Sequence, residues 1–281
     1  MDICLIMDNP ETPNHPVIAV ALQRLSATHS VRLLDVRSLS SAEAIAEEEK
    51  HAQADLYLLK SHAPQALDVA HTLEQRGALV VNSWAASMAC QDRVRMAERM
   101  HEAGLPWPRT WSFSTLESLL GTHELLATLP FPLIIKSYYS HRDDLVDKVR
   151  TLAELQALAP QWSQEPVVLQ EFVPGDGWDI KLWVIDQQIF AARRRTPLET
   201  NASKEDFPLA PTELPAEWVR ITREVGRAFD LRLYGIDLLE TARGPMIIDV
   251  NSFPGFRGVP GADTALVNLV EHLNTERQAT A

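Results

Sequence analysis

Two strand-like segments near the end of the chain carry oxygen-bearing side chains at a spacing that suits a metal ion. The segment IIDVNS places Asp249 and Asn251 two residues apart, so in a strand both side chains lie on one face. The preceding segment LYGIDLLE carries Asp237, and the short Thr-Ala-Arg-Gly link between the segments predicts an antiparallel hairpin. Such ligands are typical of Mg²⁺ bound together with phosphate and water. We predict a metal site here, with turn and cap roles as the alternative for each residue alone.

Two further segments suit the nucleotide that such a metal normally accompanies. No G-x-x-x-x-G-K-[ST] or G-x-G-x-x-G loop occurs, but FPLIIKSYYSH places Lys136 at the end of a very apolar strand. Its charge suits a nucleotide phosphate, and a snorkelling strand-end lysine is the alternative. In VVLQEFVPGDGWDIKLWVI, one strand ends at 170–173 and another begins at Asp179. The extended link between them could hold a purine.

Composition limits the classes of protein that this chain can be. It has 281 residues, 46% of them hydrophobic, which is enough for one large core or two to three small subdomains. A net charge of −12 argues against a nucleic-acid surface, so we predict no nucleic-acid partner. Cys4 and Cys90 have no metal or disulfide spacing, which suits a reducing compartment. We find no membrane-spanning run, and we predict a cytoplasmic protein.

The order of the predicted elements favours an α/β fold with α+β subdomains. Short apolar runs alternate with helical stretches in the first hundred residues, which predicts a small parallel sheet with strands at 2–7, 31–36, 55–60 and 78–82. A charged helix at 91–103 is followed by Gly104 and two prolines, which mark a boundary. Beyond it we predict strands at 109–113, 131–138, 167–173 and 179–185, and helices at 115–128, 151–162 and 215–229. A strand after residue 187 and an irregular stretch at 196–214 complete the prediction.

Taken in order, these segments resemble the ATP-grasp superfamily, over roughly residues 55 to 273. The resemblance implies that Lys136 holds ATP phosphates and that Asp237, Asp249 and Asn251 bind magnesium. It also implies that the hinge binds adenine through Gln170, Glu171, Phe172 and Val173, and that Asp179 contacts the ribose. The segment from NSWAASMACQDRVRM onward is similar to the helix and linker of RimK-like glutamate ligases and glutathione synthetases. There Arg93 takes the place of a phosphate-contacting Lys or Arg.

The chain departs from the family pattern at three places. The lid segment 137–147 contains no glycine, although glycine normally lets backbone N–H groups approach phosphates. Asp249 stands where most ligases of this group have Glu. The stretch RRRTPLETNASKEDFPLAP lacks the basic, glycine-rich segment of RimK-like enzymes.

Two reactions are compatible with the resemblance. A RimK-type carboxylate–amine ligase forms an acyl phosphate, which an amine then attacks. The alternative is an inositol polyphosphate kinase of the tris/tetrakisphosphate type, whose ending FPG-x-x-G-V matches residues 253–259. The substrate-binding candidates for both are Lys60, His141, Lys181 and Arg194, which would grip a carboxylate or hold acceptor phosphates. A fold that binds nucleotide without turnover is a third reading, kept open by the lid, and a non-enzymatic metal module is a fourth.

We favour the ligase, because the acidic chain offers only a modest cationic cluster for a polyphosphate. The expected catalytic residues are Lys136, Lys181 and Arg194. ATP and Mg²⁺ (or Mn²⁺) are the expected cofactors, a small molecule or peptide is the acceptor, and a homodimer would be unsurprising. We expect first-domain loops such as residues 7–16, together with 196–214, to shape the acceptor pocket. The expected division is a pre-ATP-grasp domain at 1–104, a central subdomain at 105–186 and a metal-carrying subdomain at 187–281. His15, His29 and His51 are predicted to be surface residues.

Overall fold

A computed structural model describes residues 1–140, 144–195 and 206–280 of the chain. Within these ranges the strands form two four-stranded sheets and one five-stranded sheet. The first sheet precedes the other two in the sequence, as the alternation of apolar runs and helices predicts.

The first sheet is parallel and has the strand order β2-β1-β3-β4. Its helices begin at clear signals: α1 and α3 have proline in the first turn, and α2 has a capping box between Ser40 and Glu43. The element bounds are β1 Asp2–Met7, α1 Pro16–Leu25, β2 Ser30–Asp35, α2 Ser41–Glu48, β3 Leu56–Lys60, α3 Pro64–Gln75 and β4 Val80–Val81. The predicted parallel sheet is therefore confirmed.

Two helices lead from the first sheet to the second, α4 at Trp84–Gln91 and α5 at Arg93–Glu102. The sequence predicts one helix at 91–103, and the structure separates the two at Asp92. The Asp92 carboxylate accepts hydrogen bonds from the backbone N–H groups of Val94 and Arg95, each at 3.0 Å, and so caps α5. Since Asp92 itself has an extended backbone, α4 cannot continue through it.

The second sheet is antiparallel and has the order β5-β8-β6-β7. Each long helix predicted here is broken into two short ones, at Gly121 and at Leu158, which Pro160 follows. The strand at 146–149 is short and has two charged residues at its centre, and the sequence analysis missed it. The bounds are β5 Thr110–Phe113, α6 Leu116–Leu120, α7 His123–Leu126, β6 Leu133–Ser137, β7 Val146–Val149, α8 Leu152–Ala157, α9 Ala159–Trp162 and β8 Val167–Glu171.

The third sheet is antiparallel and has the order β11-β10-β9-β12-β13. The predicted hairpin at its end is confirmed. The prediction of irregular structure at 196–214 is wrong for 206–209, which form an edge strand, and 196–205 lie outside the described residues. The bounds are β9 Gly175–Ile185, β10 Gln188–Arg195, β11 Asp206–Leu209, α10 Ala216–Phe229, β12 Leu233–Thr241, β13 Gly244–Ser252 and α11 Ala262–Thr280.

Strand β9 lies wholly in the third sheet, although the sequence analysis places the start of the third subdomain at residue 187. The sheet therefore begins at Gly175, directly after the hinge. The three-part division of the chain stays a prediction.

The first and third sheets share one apolar core, whereas the second sheet has its own. The shared core joins Leu5 and Leu58 of the first sheet to Trp183 of β9 and to one face of α11. The core of the second sheet contains residues between 116 and 169 only. Asn82 strengthens the junction of the first and third sheets, because its side chain bonds the backbone of Arg232 and both backbone groups of Leu233.

Candidate active site

A cavity of about 180 Å³ lies between the second and third sheets. All the residues that the sequence analysis assigns to nucleotide binding line it, and so do two of the three predicted metal ligands. These are Arg93, Lys136, Gln170, Glu171, Phe172, Val173, Asp179, Asp237 and Asp249. We call this space the nucleotide cavity.

Lys136 crosses the nucleotide cavity from the second sheet to the third. Strand β6 is buried along its whole length, so the side chain leaves the strand into a space with little water. Its Nζ donates a hydrogen bond to the backbone carbonyl of Ile248 at 3.0 Å. Burial lowers the pKa of Lys136 to about 8, while Asp249 opposes that shift. The ammonium is therefore poorly solvated and well placed to receive an anion.

A bulge in β13 presents the carbonyl that Lys136 uses. Asp237 pairs with Asp249, but the next residue, Leu238, pairs with Ile247, so Ile248 is an extra residue on its strand. The extra residue of a bulge is not paired with the neighbouring strand, and the strand bends at that point, so the adjacent side chains change direction. The bulge thus sits beside the carboxylates.

The hinge between the second and third sheets forms another wall of the nucleotide cavity. Gln170 is buried, and its side-chain amide donates to the Thr110 hydroxyl at 3.3 Å. The ring of Phe172 lies under the ammonium of Lys148, 3.4 Å from the ring centroid. These contacts fix an extended segment whose apolar side chains could face a flat base.

Two of the predicted metal ligands, Asp237 and Asp249, lie in one cross-strand row, and the third, Asn251, lies two residues further along β13. We call these three residues the metal row. Asp237 pairs with Asp249 on one side and with Lys181 on the other. The amide of Asn251 donates to Asp249 at 3.0 Å, and the Lys181 ammonium lies 2.7 and 2.8 Å from the two Asp237 oxygens. Two carboxylates and an amide oxygen are ligands that suit a hard divalent ion. The Lys181 ammonium shows that a positive charge is accommodated beside them. In the described residues, no three His, Cys, Asp or Glu side chains gather as a metal-binding group, so phosphate and water would have to complete the shell.

Arg93 lies deep in the wall between α5 and the second sheet. One guanidinium nitrogen donates to the Ser137 carbonyl and the other to the Asp144 carboxylate, both at 2.7 Å. Its Nε is buried and has no hydrogen-bond partner among the residues that the structure describes. Asp144, which belongs to the lid segment 137–147, therefore holds Arg93 in place.

Arg194 is held by a residue that the sequence analysis missed. Its guanidinium makes two hydrogen bonds to Asp206, at 2.6 and 2.7 Å, across the pair β10–β11. That contact raises the pKa of Arg194 further. Arg194 also pairs in register with Asp179 of β9, next to the metal row. The fourth predicted substrate residue, His141, lies outside the described residues.

A second cavity, of about 420 Å³, opens beside the metal row and is lined by Lys60 and Asn251. Lys60 donates to the Phe253 carbonyl at 2.6 Å. Burial lowers its pKa to about 8, and Asp8 opposes that shift. Charged and polar side chains complete the wall, including Asp8, Glu11, His15, His62 and Arg257. We call this space the acceptor cavity.

The sequence analysis predicted part of the acceptor cavity, because the loop at 7–16, Lys60 and Asn251 all contribute to its wall, but it did not name His62 or Arg257. His15 is a half-buried wall residue, with its Nδ1 buried, so its assignment to the surface is wrong. His29 is also wrongly assigned, because its ring is 6% exposed and contacts Glu271. The signals were weak but present: His62 follows Lys60 by two residues, and Arg257 follows the SFPG turn. Residues two apart in an extended segment lie on the same side of the chain, so His62 is expected near Lys60.

None of the helices in the described ranges is long and apolar enough to cross a membrane.

Comparison with known proteins agrees with this architecture. Residues 91–271 match the RimK-like ATP-grasp domain. A probable alpha-L-glutamate ligase of Xanthomonas oryzae pv. oryzae (strain MAFF 311018) is 27% identical over 226 residues, which are 76% of this chain and 74% of that protein.

Solved structures show the same fold over nearly the whole chain. The RimK domain protein ATP-grasp from Sphaerobacter thermophilus DSM 20745 superposes with a TM-score of 0.75 at 18% identity, covering 97% of this chain and 99% of that one. The D-alanine–D-alanine ligase from Bacillus anthracis complexed with ATP gives 0.71 at 18% identity, and each chain is covered completely, at 100%.

These matches confirm the predicted ATP-grasp fold and the prediction of an ATP-dependent ligase that forms carbon–nitrogen bonds. They do not favour the inositol polyphosphate kinase. The matched domain covers well over half of the chain and contains the hinge and the metal row. The chain belongs to the RimK-like ATP-grasp family.

Proposed function

We propose that this chain is a magnesium-dependent ligase that joins the carboxylate of a small molecule or peptide to an amine. One observation carries the proposal: Asp249 lines the nucleotide cavity, while Asn251, two residues along the same strand, lines the acceptor cavity. A single metal row thus borders both spaces, as transfer of a phosphoryl group between them requires.

The nucleotide would lie with its base against the hinge and its phosphates towards Lys136. We propose that Gln170, Glu171, Phe172 and Val173 hold the adenine. Asp179 would contact the ribose, and Arg93 and Lys136 the phosphates. Buried, pre-positioned cations suit phosphate because they need little reorganisation when charge shifts during transfer.

Asp237, Asp249 and Asn251 would hold the divalent ion, which we infer to be Mg²⁺ (or Mn²⁺). When bound, such an ion neutralises phosphate charge and polarises the transferred group. The three protein oxygens leave room for phosphate oxygens and water, as expected of magnesium sites.

The acceptor carboxylate would lie in the acceptor cavity near Lys60, with Lys181 and Arg194 on the side of the phosphates. Transfer of the γ-phosphoryl group from ATP to the carboxylate gives an acyl phosphate and ADP. The amine then attacks the acyl carbon, and phosphate leaves with the electron pair of the broken C–O bond. The cations would orient the reactants and stabilise the charge that develops on phosphate and acyl oxygens.

The acids of the acceptor cavity argue against a polyphosphate acceptor. Asp8 and Glu11 share the cavity with Lys60 and Arg257, so its charge is mixed. A cluster of phosphates would be repelled by those carboxylates, whereas a molecule that carries both a carboxylate and an amine is compatible with them.

An ATP turnover assay tests this function with pooled amino acids, small peptides and inositol phosphates as separate acceptor sets. We expect ADP and free phosphate in equal amounts with an amino acid or peptide set, and a hydroxamate when hydroxylamine replaces the amine. A phosphorylated product without free phosphate would show kinase chemistry instead. Absence of turnover with every set, together with measurable ATP binding, would show a nucleotide-binding protein without activity.

A further inference from the structure

Lys181 occupies the position on Asp237 that a divalent ion would need. Its Nζ lies 2.7 Å from one carboxylate oxygen of Asp237 and 2.8 Å from the other. The two side chains come from directly paired residues of β9 and β12, so the contact follows from strand register. Both are about one-fifth to one-quarter exposed, at 20% and 24%, so the ammonium can move without unfolding its surroundings.

The metal row requires a cation even when no metal is bound. Asp237 and Asp249 are directly opposite each other on adjacent strands, and like charges in that arrangement repel. Two nearby cations are engaged elsewhere: Lys136 donates to the Ile248 carbonyl, and Arg194 is bound to Asp206. Among the described residues, Lys181 is the cation that forms direct hydrogen bonds with Asp237.

An ammonium and a divalent ion compete for the two Asp237 oxygens. Both are cations, so a metal that takes an oxygen of Asp237 repels the ammonium and weakens the contacts that Lys181 makes. A departing ammonium in a partly buried site needs a new anionic partner, because an unpaired charge there is costly. Nucleotide phosphates would supply that partner in the neighbouring cavity.

We propose that Lys181 is an exchangeable counter-ion that holds the metal row until a metal–nucleotide complex displaces it. On displacement, the ammonium transfers from Asp237 to the phosphates, where it becomes available to the reacting group. This inference rests on the metal assignment within the proposed function. It adds that the metal alone and the nucleotide alone bind weakly to the protein, whereas the two together bind cooperatively.

Binding of Mn²⁺, followed by its electron paramagnetic resonance signal, tests the exchange without any turnover. We expect Lys181→Met to bind Mn²⁺ alone at least about tenfold more tightly than wild type, because the competing ammonium is gone. In wild type, a non-hydrolysable ATP analogue should strengthen Mn²⁺ binding by a larger factor than in Lys181→Met. Equal Mn²⁺ affinity of the two proteins in the absence of nucleotide would overturn the proposal.

Two controls make the result specific. Lys50→Met removes an exposed lysine that pairs with Glu47, far from the cavities, and should leave Mn²⁺ binding unchanged. Lys181→Gln, which keeps a polar side chain, should reproduce the tighter binding if Lys181→Met fails to fold.

The Asp249→Asn change separates failure of the exchange from failure of the metal site. We expect it to remove Mn²⁺ binding from both wild type and Lys181→Met. If it does so while Lys181→Met binds like wild type, the metal assignment stands and the exchange is wrong. If Mn²⁺ binding persists in the double variant, the ion lies elsewhere, and both the exchange and the metal assignment fail.

Discussion

Lys136 and Ile248 connect the two sheets that enclose the nucleotide cavity: the ammonium nitrogen of one lies 3.0 Å from the carbonyl oxygen of the other. The lysine belongs to β6 of the second sheet and the carbonyl to the bulge in β13 of the third. A carbonyl is a weaker partner for an ammonium than a phosphate. The contact therefore holds the lysine in the cavity and can be exchanged for a nucleotide.

Replacing Lys136 by Met should separate activity from stability. We expect ATP affinity to fall by roughly ten- to a hundredfold, because a charge-assisted phosphate contact is lost. We expect the free energy of unfolding at pH 7 to rise by about 1–2 kcal/mol, since burial disfavours the ammonium and lowers its pKa to about 8. Titration calorimetry with ATP and urea unfolding measure the two effects. Unchanged ATP affinity would remove Lys136 from the nucleotide site.

The metal row gives a prediction about turnover. Asp237→Asn or Asp249→Asn should abolish Mg²⁺-dependent ATP turnover, because each removes a charged oxygen ligand. Far-ultraviolet circular dichroism should be unchanged, since the side chains lie beside a cavity and not within the apolar core. Turnover within a few-fold of wild type in both variants would contradict the metal assignment.

Lys60 gives a prediction about pH. Burial lowers its pKa to about 8, against the opposing effect of Asp8, so the folded protein releases this proton at a lower pH than the unfolded chain does. The unfolded state therefore binds more protons from about pH 8 up to the ordinary lysine pKa. Across that window the contribution of Lys60 to stability rises with pH. Acceptor binding should change in the opposite direction, because the ammonium disappears.

The KM of the acceptor found in the turnover assay should accordingly rise as the pH passes about 8. Lys60→Arg should keep the KM low up to pH 9.5, and Lys60→Met should give a high KM at every pH. His15 and His62 also face the cavity, but burial lowers the pKa of each, so both stay neutral across this range. An identical pH profile in Lys60→Met and wild type would exclude Lys60 as the cause.

Two arginines of α5 provide a matched pair for stability. Arg93 is 6% exposed and bonds both Asp144 and a carbonyl, whereas Arg95 is 61% exposed and lies 3.5 Å from Asp92. Arg93→Met should lower the free energy of unfolding by about 3 kcal/mol, because Asp144 is left without its partner. Arg95→Met should cost less than about 1 kcal/mol. Similar losses in urea unfolding would show that the Asp144 contact contributes little.

The parts of the fold that the sequence predicts are those with strong local signals. Apolar runs locate β1, β3, β6 and β8, and Gly104 with two prolines locates the end of α5. The edge strands β7 and β11 were missed because they are short and half of the residues in each are exposed, and because their pairing depends on partners elsewhere in the chain. Asp92 is visible in the sequence as a capping residue, but only its backbone conformation shows that two helices meet there.

In the candidate site, too, the sequence predicts some features and not others. Residues that strand spacing or family position identifies line the nucleotide cavity, as Lys136 and Asp249 do. The sequence could not show that Lys181 would be paired with Asp237, or Arg194 with Asp206, because those pairings arise from strand register over long separations. Local periodicity predicts which face a side chain is on, and register decides what it touches.

The core that the first and third sheets share has a consequence for the motions of the chain. Since Asn82 and α11 also join these two sheets, we expect them to move as one rigid body, and the second sheet, with its separate core, to swing against them about the hinge. Such a swing would widen the nucleotide cavity and break the Lys136–Ile248 contact. The wall around Lys60 belongs mainly to the rigid body, so it would keep its shape. Nucleotide exchange would then follow the opening rate of the second sheet, while acceptor recognition would remain the same in the open and closed states.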